Sequence, residues 1–156
     1  MREIVPGRLW LGNALDARDP RALFDRGIAA VVDLAYEEPP AQLPRSLAYC
    51  RIPLTDGAGN DPKLLGLALD TLRSLLTLEV PTLVACGAGM SRSPCIAAAA
   101  LAVHNDASPD ETLRSLLEHQ PHDVSPAFWK DVAKTLKQRL PGETGSGAAG
   151  ERPDEA

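Results

Sequence analysis

A cysteine closes the apolar run Val84-Ala-Cys86, the five residues Gly-Ala-Gly-Met-Ser follow, and Arg92, Ser93 and Pro94 come next. Cysteine and arginine are poor neighbours in a hydrophobic core but good neighbours around a phosphate. Gly87, Ala88 and Gly89 leave room for backbone N–H groups to converge on one point, and Met90 and Ser91 complete the loop. Ser93-Pro94 has the form of a helix start, whose free N–H groups and partial positive charge attract an anion. The Arg92 guanidinium adds a planar fork that fits two phosphate oxygens. The same charges favour a thiolate at Cys86, and a thiolate beneath a bound phosphoryl group is a nucleophile aimed at phosphorus. Residues 87–92 are the candidate phosphate cradle, and Cys86 with Arg92 is the candidate catalytic pair.

Such a loop needs a strand before it and a helix after it. Pro81-Thr-Leu-Val-Ala85 reads as a short strand, and the alanine-rich run Ile96–Val103 as a tightly packed helix. Upstream, Glu3–Val5 and Leu9–Leu11 are β-rich pieces around the turn pair Pro6-Gly7, and Asp19-Pro20 opens a short helix that Gly27 ends. Ile28–Leu34 is a near-continuous apolar run that suits a parallel strand buried on both faces. Ala48–Ile52 reads as another strand, closed by Pro53. Leu64, Leu65, Ala68, Leu69, Leu72, Leu75 and Leu76 recur at helical spacing after Pro62. Ser108-Pro-Asp-Glu111 reads as a capping box, and Ser125-Pro126 starts a last helix with Trp129, Val132 and Leu136. Strands alternating with helices predict a single α/β domain with a largely parallel sheet, and ligands in such folds bind beyond the carboxyl ends of the strands.

The composition narrows the partners. A formal net charge of −5 over 156 residues, with no basic run, argues against a nucleic-acid partner. No apolar stretch approaches the roughly 20 residues of a membrane span, and Met1–Pro6 lacks the apolar core of a signal peptide. Three cysteines make an odd, low count that predicts no disulfide framework and a reducing, cytoplasmic setting. Residues 1–140 are expected to form the catalytic domain, and 141–156, without a large apolar anchor, a disordered acidic tail. His104, His119 and His122 lie away from the loop with no ligand pattern around them, so no metal and no cofactor are expected.

Cys86-Gly-Ala-Gly-Met-Ser-Arg92-Ser93 resembles the signature loop of the cysteine-dependent protein tyrosine phosphatase superfamily, and Gly89-Met-Ser-Arg-Ser-Pro94 resembles the dual-specificity phosphatases in particular. Ile4–Gly12, Leu23–Leu34 and Pro121–Pro126 resemble that family's N-terminal strand pair, first helix and strand, and last turn. The resemblance implies a phosphomonoester hydrolase, a monomer acting on phosphotyrosine, phosphoserine/threonine or a small phosphomonoester through a phosphocysteine intermediate. It also implies a general acid on an upstream mobile loop, where Ile52-Pro-Leu-Thr-Asp56 matches and Gly57 and Gly59 give freedom to close. Asp61 is the rival, although Asp before proline is also a preferred N-cap. Ser93 reads locally as a helix cap, while the resemblance implies a hydrogen bond to the cysteine sulfur that helps it leave. Ala85 stands where the family usually has histidine, which predicts weaker activation of the thiolate. Cys95 reads as core, and Cys50 as core or as a second thiol within reach of Cys86. The uncharged residues inside the loop argue against polyphosphoinositides. A phosphate-reading pseudophosphatase and a rhodanese-type sulfurtransferase are the alternative functions.

Overall fold

The computed structural model describes residues 1–139, and the tail expected over 141–156 lies outside them. Eleven elements follow in order: β1 (Arg2–Val5), β2 (Leu9–Asn13), α1 (Ala14–Ala17), α2 (Pro20–Asp25), β3 (Ala30–Ala35), β4 (Ala48–Leu54), α3 (Pro62–Thr77), β5 (Thr82–Cys86), α4 (Arg92–His104), α5 (Pro109–Leu117) and α6 (Pro126–Arg139). The strands form one sheet in the order β1-β2-β5-β3-β4. Only β1 runs antiparallel to its neighbour; β2, β5, β3 and β4 are parallel. This is the α/β architecture that the alternation of elements predicts.

The side-chain alternation of β5 divides the core in two. Val84 and Cys86 belong to the larger cluster, with α3, α4 and α6 over that face. Leu83 and Ala85 join Trp10, Leu23, Ile28 and Val31 in a smaller cluster on the other face. The leucines that predicted α3 do go inward: Leu65, Leu69 and Leu72 are fully buried, each worth about 1.5–3 kcal/mol relative to exposure. Helix α4 is buried on nearly every side, because Ala97–Ala100 carry no bulk to hold its neighbours off.

Several boundaries differ from the sequence expectation for physical reasons. Strand β4 continues through Pro53 to Leu54, since β4 is an edge strand and a missing N–H on the open side breaks no ladder bond. Helix α1, which no periodicity announces, is one turn set by a capping box: Asn13 Oδ1 accepts from the Asp16 N–H (2.9 Å), and Asp16 Oδ2 accepts from the Asn13 N–H (3.0 Å). At α5 the Ser108 hydroxyl accepts from the Glu111 N–H, so the forward half of the expected box is present. Among the described residues, no helix is long and apolar enough to cross a membrane.

Candidate functional site

Strand β5 lies between β2 and β3, so its end at Cys86 opens at the centre of the sheet's carboxyl edge. The chain then turns through residues 87–91 into α4. Gly89 makes the turn with φ +77°, and a Cβ there would stand 2.9 Å from the Gly12 carbonyl oxygen. Both conformation and space therefore demand glycine. The Ala14 N–H donates to the Gly87 carbonyl (3.2 Å), tying the loop to the start of α1. A cavity of about 290 Å³ sits over the loop, lined by Cys86, Gly87, Ala88, Met90, Ser91 and Arg92 together with Glu37, Glu38, Asp56 and Asp123.

Arg92 is the first residue of α4 and only 4% exposed. Its Nη1 donates to Glu37 Oε2 (2.6 Å) and to the Leu54 carbonyl (2.8 Å), and its Nη2 donates to Glu37 Oε1. Glu37 therefore grips the outer end of the guanidinium. Of the five N–H donors, the Nε–H and the second Nη2–H stay free, and they share one edge. Nε is buried with no acceptor among the described residues. Such an edge is a two-pronged donor for an oxyanion. The fork from Arg92 holds the Glu37 carboxyl below the usual carboxylate range, and Glu37 in turn raises Arg92. A Cβ at Gly87 would meet Glu37 Oε1, so a larger residue there would displace the carboxylate that holds Arg92.

Cys86 is buried at the cradle floor, with its Sγ 3.3 Å from the Ser93 hydroxyl. Ser93 lies inside α4 and does not cap it; the N-cap position belongs to Ser91. Burial pushes the Cys95 thiol up, which leaves it a poor competitor for electrophiles. Cys50 does not reach Cys86. It stands beside Val32 on β3, which stands beside Val84 on β5, so two strand spacings of about 4.8 Å separate Cys50 from Val84, and Cys86 lies two residues further along, beyond disulfide reach.

The two aspartates separate cleanly. Asp56 lines the cavity over Cys86, and its Oδ1 accepts from the Ser91 hydroxyl (2.6 Å). Asp61 heads α3 and accepts from the Lys63 N–H (2.8 Å), away from the cavity. Asn60 folds the Asp56 loop on itself: its Oδ1 takes the Thr55 N–H (2.8 Å), and its Nδ2 donates to the carbonyls of Thr55 (3.0 Å) and Gly57 (3.1 Å). Gly57 and Gly59 both have positive φ, and the Gly59 N–H reaches Asp131 on α6 (3.1 Å).

This constellation can be compared with known proteins. No family model matches the chain. The dual specificity protein phosphatase Mpk3 of Drosophila melanogaster is 30% identical over 128 residues, which is 81% of this chain. The chain spans about a third (31%) of the length of that relative. A mouse dual specificity phosphatase complexed with zinc tungstate is 25% identical, with a TM-score of 0.73 over 86% of this chain and 84% of that one. Human DUSP28 shares the fold, at a TM-score of 0.73 and 24% identity over 86% of this chain and 94% of that one. Over 81% of its length the chain is similar to a dual specificity phosphatase, and its fold is that of solved members of that family. Ala85, where the resemblance leads one to expect histidine, now has a location. The side chain points away from Cys86 into the smaller core cluster and is fully buried. Sequence reading missed Glu37 and Asn60, which act across 55 residues and through a loop fold, and neither distance leaves a periodic signal.

Proposed function

We propose that this dual-specificity phosphatase homologue is a protein phosphatase acting on phosphotyrosine and/or phosphoserine/threonine through a phosphocysteine intermediate. The observation that carries the reading is Arg92, a buried guanidinium with one end locked by Glu37 and Leu54 and an unpartnered Nε, lining the same cavity as Cys86. The phosphoryl group sits in the 87–92 cradle with two oxygens on the Nε edge of Arg92. The Cys86 thiolate attacks phosphorus from below, the bond to the leaving oxygen breaks, and Asp56 gives that oxygen its proton. In the second half Asp56 takes a proton from water, the water oxygen attacks phosphorus, and the S–P bond breaks. Ser93 donates to the departing sulfur, the role that its 3.3 Å contact supports. Every step is served by a group of the protein, so the reaction needs no cofactor. Carboxylates at the mouth and the absence of lysine among the cavity residues favour a single phosphate on a protein over a polyanionic lipid headgroup. A reduced Cys86 fits a cytoplasmic setting.

The test is turnover of para-nitrophenyl phosphate and of phosphotyrosine and phosphothreonine peptides, with inhibition by vanadate and complete loss in Cys86→Ser. Phosphopeptide binding without turnover would make the protein a pseudophosphatase. Thiocyanate formation from thiosulfate and cyanide, without phosphate release, would replace hydrolysis by sulfur transfer.

A further inference from the structure

We propose that Ser91 is a positioning residue for the acid: it holds Asp56 so that the transferable proton sits on Oδ2, and the inference rests on Asp56 being the general acid. Ser91 is only 3% exposed and occupies the N-cap position of α4, yet its side chain makes no cap bond to that helix. Its hydroxyl bridges two other elements. The Ser125 N–H, just ahead of α6, donates to Ser91 Oγ (3.2 Å), and Ser91 Oγ lies 2.6 Å from Asp56 Oδ1. An amide can only donate, so it engages a lone pair of Oγ, and the single hydroxyl proton is left for Asp56. The reverse arrangement, a proton on Oδ1 donated to Ser91, would strand the hydroxyl proton of a nearly buried oxygen with no acceptor among the described residues. Oδ1 is thus an acceptor throughout the cycle. The proton of the acid belongs on Oδ2, the oxygen that Ser91 leaves free to meet the leaving group. The same bridge joins the acid loop, the catalytic loop and α6 at one atom, and the Gly59–Asp131 bond fastens the acid loop to α6 a second time. A sequence of this kind spends a preferred capping residue on the acid rather than on its helix.

The experiment reads the ratio of kcat/KM for para-nitrophenyl phosphate to that for phenyl phosphate, because only the more basic phenolate needs a proton to leave. Asp56→Asn should raise this ratio about 100-fold, within the range of general acid help. Ser91→Ala should raise it about tenfold, and Ser91→Thr, which keeps the hydroxyl, should bring it back toward wild type. The double variant Ser91→Ala/Asp56→Asn should show the ratio of Asp56→Asn alone, since Ser91 acts through Asp56. The ratio is internal to each protein, so a partly unfolded preparation does not alter it. A Ser91→Ala ratio equal to wild type, beside a raised Asp56→Asn ratio, overturns the role of Ser91 alone, as does a further rise in the double variant. An unchanged ratio in Asp56→Asn removes the acid assignment and this inference with it.

Discussion

Glu37→Gln is the substitution that best tests how Arg92 is held. The glutamine amide has one acceptor oxygen, so it can take one of the two guanidinium bonds, and its NH2 group then faces a donor. The loss is one charge-assisted hydrogen bond and the alignment that two parallel bonds confer, about 1.5–3 kcal/mol. If that alignment serves the transition state, kcat/KM for para-nitrophenyl phosphate should fall about 10- to 100-fold. Inorganic phosphate should inhibit more weakly by a similar factor. Stability should change by less than about 1 kcal/mol in urea titrations, because the Glu37 side chain is 51% exposed and water replaces much of what the carboxylate gives. The pH dependence is also constrained. Arg92 depresses the Glu37 carboxyl, so the stabilisation is present above the ordinary carboxylate value and is lost only as pH falls through the lowered one. The fall in kcat/KM should therefore be the same at every pH above the ordinary carboxylate range. Tighter phosphate inhibition with undiminished turnover would refute the reasoning, because it would mean that Glu37 competes with the substrate for Arg92.

Four further substitutions probe other parts of the site. Arg92→Lys keeps the charge but loses the fork, and should cost more than about tenfold in kcat/KM, with retention above a tenth of the wild-type rate removing Arg92 as the clamp. Gly89→Ala combines a positive φ with a Cβ 2.9 Å from the Gly12 carbonyl, and should destabilise by about 1–3 kcal/mol in urea titrations. Ala85→His restores the usual family residue at a position with no exposed surface, and the overpacking should lower stability by about 1–3 kcal/mol, read as a fall in Tm. Asp61→Asn should leave both the leaving-group ratio and the unfolding midpoint near wild type, since asparagine caps about as well as aspartate.

What the sequence determined is what a few neighbouring residues can encode. The Cys86-to-Ser93 spacing, the glycines that permit the turn, the leucine period of α3 and the Asp61 cap are all settled within a few turns of chain. Alternating apolar runs likewise set the parallel sheet. What only the tertiary structure decided are choices between distant partners. Asp56 and Asp61 are five positions apart, and of the two it is Asp56 that lines the cavity over Cys86, held by the Asn60 fold of the loop and the Ser91 hydroxyl. Pro53 could join a strand only because the sheet order leaves β4 at an edge, and that same order keeps Cys50 two strands from Cys86. Glu37 meets Arg92 across 55 residues. A local pattern cannot announce that pair, because its energy exists only once the chain just after β3 and the start of α4 meet at the carboxyl edge of the sheet with the guanidinium buried.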